Sequence, residues 1–163
     1  MANICSFSMM IKGNKNNIET FLDMMTQKGT VFMGRGAVIE REDMEELEDG
    51  ICRCQIEGWV KWSICASLVD DAISMRGNPS IWSFGEGVDK TKLSFVTLWE
   101  AGKKLNLEIE CYSEEPGCCF QEHYVFKNGA IAEKECVEYR EWYDETLGEW
   151  NSEGGFEEWA FEI

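Results

Sequence analysis

The sequence predicts an α+β fold, in which helices cover one face of a mainly antiparallel sheet. Three observations support this prediction. Apolar and polar residues alternate in several short segments, as they do in strands with one buried face. Between these segments, apolar residues recur at the spacing of an amphipathic helix. Finally, Asn128 and Gly129 separate two alternating segments, and Asn-Gly between strands is a strong indication of a hairpin.

The N-terminal part predicts a strand followed by a helix. Residues 3–12 alternate, and their apolar side carries Cys5, Phe7, Met9 and Ile11. A helix follows, with Asn16 or Asn17 as its N-cap. Its apolar side carries Ile18, Phe21, Leu22 and Met25. Lys28 and Gly29 are the expected end of this helix.

The middle of the chain predicts one or two strands and a short helix. Residues 30–38 are expected to form a short strand or a loop. Residues 40–49 are an acidic run, which we expect to form an exposed helical turn or a loop. Residues 51–62 alternate again, and Gly58 marks a bulge in that strand. Ser63 is a suitable cap for a helix over residues 64–73. In the loop that follows, Trp82 and Phe84 are expected to pack on the core.

The stretch from Leu93 to Ile131 predicts a helix and then three strands. The helix is expected over residues 93–105 with Asp89 as its N-cap. Strands then follow over residues 105–112 and 118–126, and a third begins near Ile131. The order strand, helix, strand, strand, helix, strand is that of a ferredoxin-like split βαβ sandwich, here with an added C-terminal hairpin. We therefore expect a domain over residues 1–136 and an acidic aromatic extension over residues 137–163, packed on it or appended to it.

The charge of the chain restricts its partners. The 163 residues include 31 acidic and 15 basic side chains, for a formal net charge of -16. Direct binding to nucleic acid requires the opposite sign, and anionic membranes are disfavoured for the same reason. An acidic surface suits a basic partner, or it serves only solubility. Because the chain has neither a long apolar run nor a basic leader, we expect a cytoplasmic protein.

The cysteines and the single histidine do not predict catalysis or metal binding. Cys52 and Cys54, or Cys118 and Cys119 with His123, would be the candidate zinc ligands, but neither set has the usual paired spacing. A strand places Cys119 and His123 roughly 13 Å apart, which is too far to share a proton. We therefore expect reduced, mostly buried thiols, no cofactor, no metal and no enzymatic activity. An enzyme that uses Cys119 or Cys111 is the weakest alternative.

Several short motifs resemble one family. They comprise an N-terminal strand that leads into a helix, a Gly-Trp-x-Lys-Trp segment, and a strand pair that ends in Tyr-x-x-x-x-Gly. The residues that carry them are Asn3, Cys5, Gly13, Phe21, Leu22, Gly58, Trp59, Lys61, Trp62, Leu105, Leu107, Ile109, Tyr112, Glu115, Gly117, Phe120, Tyr124 and Gly129. Over residues 3–129 the chain resembles the YubB-type ferredoxin-like domain proteins of phages and plasmids. The usual Trp-Pro-Pro turn before the second helix is absent. The resemblance implies a ferredoxin-like fold and an origin in a mobile element, but no reaction.

Charge and resemblance together suggest an inhibitor from a mobile element. Its acidic surface would mimic nucleic acid and occupy the basic channel of a host defence complex, as acidic anti-CRISPR proteins do. The expected partner is a basic host protein or ribonucleoprotein complex. The expected contact residues are Glu42, Asp43, Glu45, Glu46, Glu138, Glu141, Trp142, Asp144, Glu145, Glu149, Trp150, Glu153, Glu157 and Glu158. The alternative is a non-enzymatic module that binds a protein through a sheet edge and the Trp-rich tail.

Overall fold

The central element is a seven-stranded antiparallel sheet that curls into a half-barrel. The computed structural model describes residues 3–163. The strands of this sheet are β1 (Ile4–Asn14), β3 (Val38–Glu46), β4 (Ile51–Lys61), β6 (Glu108–Glu115), β7 (Phe120–Lys127), β8 (Ala130–Asp144) and β9 (Glu149–Gly154). Their order is β3-β4-β1-β6-β7-β8-β9. Two further strands, β2 (Val31–Phe32) and β5 (Ser94–Phe95), pair in parallel to form a separate small sheet.

Three α-helices form within residues 3–163: α1 (Lys15–Met25), α2 (Asp71–Gly77) and α3 (Leu98–Lys104). A π-helical turn (Ala66–Asp70) leads into α2. The predicted α+β class is therefore confirmed. None of the helices in the described part of the chain has the length and apolar character that crossing a bilayer requires.

The main core lies between the sheet and the helices. The predicted apolar sides of β1 and α1 are both buried there, and Phe21, Met9 and Ile11 are among the largest fully buried side chains. Leu68, before α2, and Leu98, in α3, complete the cluster. The prediction held because the spacing of apolar residues determines which face of a strand or helix avoids water.

The predicted helix boundaries were partly wrong. Helix α1 begins after Asn14, whose side chain accepts a hydrogen bond from the Asn16 backbone N–H at 3.0 Å. The helix predicted from residue 93 is replaced by β5 and the shorter α3. Thr97 caps α3 in a reciprocal pair with Glu100, while Asp89 caps only a single 3-10 turn. Of the apolar residues that predicted the longer helix, Leu98 and Ala101 lie in α3, whereas Val96 follows β5 and donates its backbone N–H to the Phe32 carbonyl of β2.

The acidic run at residues 40–49 is mostly a strand, which contradicts the expected helical turn or loop. It forms most of β3, which pairs antiparallel with β4 at the edge of the sheet. Charged residues are common on edge strands because they discourage pairing with other chains. The irregularity predicted at Gly58 lies across from it, in β3, between Ile39 and Arg41. A side chain at Gly58 would meet the Val38 carbonyl oxygen at 2.0 Å, so glycine is required there.

The Asn-Gly hairpin between β7 and β8 is confirmed. Asn128 and Gly129 both have positive φ angles, 53° and 76°, as a two-residue hairpin turn needs. Strand β8 then continues well past the end of β7. Residues 130–138 of β8 pair with β7, whereas residues 139–144 pair only with β9. Residue 137, the expected start of the extension, lies inside β8.

The C-terminal stretch forms two parts, which we name here. The hairpin arm, residues 139–154, is the antiparallel pair formed by the end of β8 and by β9. The C-terminal strap, residues 156–163, runs back across the face of the sheet opposite the helices. Its aromatic side chains contact Tyr112 of β6 on that face.

Candidate partner-binding site on the hairpin arm

The hairpin arm extends beyond the main sheet as a two-stranded ribbon. Its pairs run from Tyr139 opposite Gly154 to Asp144 opposite Glu149. Asp144 organises the turn at the tip, because its Oδ1 accepts hydrogen bonds from the N–H groups of Thr146 (2.8 Å) and Leu147 (3.1 Å). A carboxylate at this position satisfies turn donors that would otherwise need water.

Large apolar side chains are exposed on both faces of the arm. Trp142, Tyr143, Leu147 and Trp150 are 45%, 50%, 67% and 72% exposed. Tyr143 and Trp150 are a cross-strand pair with ring centroids 5.6 Å apart, while Trp142 lies opposite Asn151 on the other face. A cluster of exposed apolar side chains marks an interaction site, because such side chains contribute little to the stability of the monomer.

Carboxylates surround these aromatic side chains. Residues 130–163 hold eleven acidic side chains and two basic ones, a formal charge of -9 within the total of -16. One of the two cations, Arg140, is paired with Glu138, and this contact raises the pKa of Arg140. The arm therefore presents a negative field with exposed aromatic groups inside it. Such a surface attracts cationic groups at long range.

The structure brings together most of the predicted contact residues. Those in or beside the arm are Glu138, Glu141, Trp142, Asp144, Glu145, Glu149, Trp150 and Glu153. Glu157 and Glu158 are exposed on the strap. Tyr143 and Leu147 were not among the predicted residues, although the sequence places them between acids in the same segment.

The acidic residues of β3 form a separate group. Glu42, Asp43, Glu45 and Glu46 lie at the opposite edge of the sheet from β9. Six strand spacings separate these edges, about 29 Å when measured along the sheet. Two of the four already have cationic neighbours: Glu45 is 2.8 Å from Arg53, and Glu46 is 3.9 Å from Lys15. The two acidic segments of the prediction therefore form two separate patches.

A buried carboxylate holds the C-terminal strap. Glu110 is fully buried, and its Oε2 accepts hydrogen bonds from the backbone N–H groups of Glu162 (2.7 Å) and Ile163 (3.2 Å). Its Oε1 lies 3.0 Å from Nε2 of His123. A buried carboxylate is tolerated only when its oxygens have such partners. The sequence analysis did not identify this group, because strand alternation places Glu110 on the side expected to face water.

Aromatic stacking completes the attachment of the strap. The Tyr112 ring lies 4.1 Å from the His123 ring and 5.8 Å from the Trp159 ring. The Tyr112 hydroxyl donates to the Ala160 carbonyl at 3.1 Å, and Oε1 of Gln121 accepts from the Phe156 N–H at 2.8 Å. Consequently, the C-terminal strap covers the outer face of β6 and β7.

Cys111, one of the two candidate nucleophiles, does not face His123. Cys111 and His123 are on adjacent strands but point to opposite faces, since Cys111 pairs with Tyr124 and His123 with Tyr112. Cys5 and Cys54 are fully buried, and burial raises the pKa of each thiol to about 12. All eight cysteines are free thiols. Within residues 3–163, no three His, Cys, Asp or Glu side chains are placed to hold a metal ion.

Comparisons with protein-family models, with curated proteins and with solved structures found no match to this chain. The function must therefore be inferred from the geometry and charge of its own residues.

Proposed function

We propose that this protein is a non-enzymatic binding protein that docks its hairpin arm on a positively charged surface of a partner. The observation that carries the proposal is the exposure of Trp142, Tyr143, Leu147 and Trp150 at the end of an acidic ribbon. Aromatic residues are enriched among those that dominate binding energy, and surrounding charges set the choice of partner.

The proposed partner is a basic host protein or ribonucleoprotein complex. Carboxylates at Glu141, Asp144, Glu145 and Glu149 would take the place of nucleic-acid phosphates in its channel. The formal charge of -9 over residues 130–163 favours this choice over nucleic acid or an anionic membrane. More specifically, we propose that the partner is a bacterial defence complex of the CRISPR type and that the protein meets it in the cytoplasm. The charge supports this target, and so does the resemblance to mobile-element proteins. That resemblance stays a prediction.

We also propose that residues 3–129 contain a ferredoxin-like split βαβ unit. The strand order β3-β4-β1-β6, with α1 between β1 and β3 and α3 between β4 and β6, supports this interpretation. Strands β7, β8 and β9 would then be additions that carry the arm away from the unit.

A second candidate function is binding through the aromatic groups alone, with the acidity serving only solubility. The high exposure of Trp150, 72%, favours it. The two candidates differ in the effect of salt. A contact made by charges weakens as ionic strength shortens the screening length, whereas an apolar contact changes little.

The test is a pull-down from bacterial lysate with the whole protein as bait, at about 50 mM and about 500 mM salt. We expect a basic nucleic-acid-binding complex at low salt, its loss at high salt, and its release by excess short RNA or DNA. An arm variant with Glu141→Gln, Asp144→Asn, Glu145→Gln and Glu149→Gln should lose the partner. Asparagine at position 144 keeps an oxygen for the turn.

The matched control removes the same number of charges from the other edge of the sheet. It carries Glu42→Gln, Asp43→Asn, Glu45→Gln and Glu46→Gln in β3, and should retain the partner. Unchanged capture by the arm variant would contradict the proposal. Capture that survives high salt but is lost in Trp142→Ala with Trp150→Ala would favour the second candidate.

A further inference from the structure

A groove of about 700 Å³ lies on the outer face of the sheet, beside the C-terminal strap. Its floor is β1, where Ser6 and Ser8 present small side chains on the same face as Tyr112. Strand β4 forms one wall, and the strap, which lies over β6, forms the other. Since β4 and β6 are the two neighbours of β1, these walls stand two strand spacings apart, about 10 Å. The strap therefore leaves this part of the outer face uncovered.

Three aromatic side chains line the groove. Trp59 comes from β4, where it pairs with Ser6 of β1, and Trp159 and Phe161 come from the strap. All three are only partly buried. Within residues 3–163, neither an aromatic ring nor a cation packs on the Trp59 ring. The Trp59 ring is therefore available to a ligand that enters the groove.

The charged side chains that line the groove, within the described residues, are both carboxylates. Glu57 lies on the same face of β4 as Trp59, two residues and about 7 Å away, and Glu40 belongs to the adjacent strand β3. Arg41 is 3.9 Å from Glu57, but both side chains are exposed, and such a pair contributes little. Glu40 has no ion pair within residues 3–163. The groove therefore offers carboxylates to a cationic ligand.

Aromatic rings beside carboxylates are a combination that binds organic cations. The face of an indole attracts a cation centred within about 6 Å, and a carboxylate pairs with the same charge. A guanidinium group suits both contacts, because it is flat, stacks on an aromatic face and presents paired N–H groups to a carboxylate. An ammonium group is compact and more strongly hydrated, so it suits the ring less well. The spacing of Trp59 and Glu57 allows one guanidinium to contact both.

We propose that this groove binds an arginine side chain of a basic peptide segment. The guanidinium lies against the Trp59 ring and pairs with Glu57, and the adjoining residues of the peptide lie over β1, between Trp59 and the strap. The volume of about 700 Å³ leaves room for these adjoining residues. The groove is separate from the hairpin arm, and its occupation does not depend on the function proposed for the arm.

The test is a titration of the ¹⁵N-labelled protein at about 150 mM salt, followed by the NMR signals of its indole N–H groups. The probe is the peptide Gly-Ser-Arg-Ser-Gly, acetylated and amidated, and the control peptides carry citrulline or lysine in place of arginine. Citrulline keeps the shape of arginine without its charge. Loss of a signal in Trp59→Phe or in Trp159→Phe assigns it.

We expect the arginine peptide to cause saturable shifts of the Trp59 and Trp159 signals. The citrulline peptide should bind about tenfold more weakly, because it lacks the charge that Glu57 and the indole face attract. The lysine peptide should bind about threefold more weakly, because its ammonium group cannot lie flat on the ring.

Variants test the two contacts separately. Glu57→Gln should weaken binding of the arginine peptide about fivefold. Glu19→Gln removes the same charge from the exposed side of α1, on the other face of the sheet, and should leave binding unchanged. Trp59→Ala, followed through the Trp159 signal, should weaken binding about tenfold. The arm variant with four neutralised carboxylates should bind the peptide as the wild type does, so this site and the proposed function of the arm are tested independently.

Three results would overturn the proposal. The first is the absence of a saturable shift of the Trp59 signal up to about 10 mM arginine peptide. The second is equal weakening by Glu57→Gln and Glu19→Gln, because the peptide would then respond only to the net charge of the protein. The third is equal binding of the lysine peptide, which would mean that the groove does not select arginine.

Discussion

The hairpin arm and the C-terminal strap come from one stretch of sequence and have the same mixture of acidic and aromatic residues, yet they behave in opposite ways. In the arm, Trp142 and Trp150 are 45% and 72% exposed. In the strap, Phe156, Trp159 and Phe161 pack around Tyr112. The difference teaches that composition alone does not determine whether such a segment stabilises the fold or binds a partner.

The cause of the difference is the surface that each part meets. The strap lies over β6 and β7, where Glu110 and Gln121 accept hydrogen bonds from its backbone N–H groups. Apart from a hydrogen bond from the Tyr139 N–H to the Cys119 carbonyl, residues 139–154 pair only with each other and pass beyond the sheet. A two-stranded ribbon without a packed face contributes little stability. The strap should therefore be part of the folding unit, and the arm should be dispensable for folding.

The largest expected effect is that of deleting the strap. Removal of residues 156–163 should reduce the free energy of unfolding by about 4 kcal/mol or more, because the aromatic stacking on Tyr112 and the hydrogen bonds to Glu110 and Gln121 are lost together and the outer face of β6 and β7 is exposed to water. Urea unfolding measures the change. As the matched control, replacing residues 141–152 by Asn-Gly should cost less than about 1 kcal/mol. Similar losses for both deletions would contradict the distinction between strap and arm.

The next largest effect should come from Glu110→Gln. Glutamine keeps the size of the side chain and one acceptor oxygen for the strap, but it removes the negative charge, and its NH2 group can replace the contact with His123 only where Nε2 carries no proton. We expect a loss of about 2 kcal/mol in unfolding free energy. Glu149→Gln in the arm should change it by no more than about 0.5 kcal/mol. In the protein without residues 156–163, Glu110→Gln should reduce the free energy of unfolding by less than it does in the full chain. An equal reduction would mean that the strap is not the main partner of Glu110.

A smaller effect, with a pH dependence, is expected for Tyr112→Phe. It removes the hydrogen bond to the Ala160 carbonyl, at a cost of about 1 kcal/mol. Burial, followed by the charges of Glu110 and Glu162, raises the pKa of Tyr112. Above the unfolded pKa of about 10, the native state therefore keeps a proton that the unfolded chain loses, and stability falls as pH rises.

Tyr112→Phe should lack the part of the loss of stability at alkaline pH that comes from this difference in pKa. Unfolding free energies of the wild type and of Tyr112→Phe, measured between about pH 8 and about pH 11, should converge as pH rises. Tyr143→Phe in the arm should change stability by no more than about 0.5 kcal/mol at pH 7. A constant difference between wild type and Tyr112→Phe across this range would mean that Tyr112 ionises as readily in the native state as in the unfolded chain, which contradicts its raised pKa.

The smallest effect on stability should come from the tryptophans of the arm. Trp150→Ala loses the cross-strand contact with Tyr143, which is worth about 0.5 kcal/mol. Trp159→Ala in the strap loses the stacking on Tyr112 and should cost about 2 kcal/mol. Thermal unfolding compares the two, and the pull-down should show the reverse order for binding. An arm variant as destabilised as the strap variant would mean that the arm also packs on the sheet.

Local patterns in the sequence predicted much of the fold. The alternation in β1, the helical spacing in α1 and the Asn-Gly turn were sufficient, because each depends on neighbours in the chain. The predicted site residues in the arm were found together for the same reason, since residues 138–153 form one continuous ribbon. Strand β3 was missed because its charged residues lack apolar alternation, and its conformation depends on the free edge of β4.

The sequence by itself determined the α+β class, the buried faces of β1 and α1, the β7–β8 hairpin and the strongly acidic character of the C-terminal stretch. Only the tertiary structure decided that residues 156–163 cover the outer face of β6 and β7 while residues 139–154 project from the sheet. It also decided that Glu110 is buried beside His123, and that Trp59 and Trp159 line one groove. These features join residues far apart in the chain, and their energies depend on burial and on partners that no local pattern specifies.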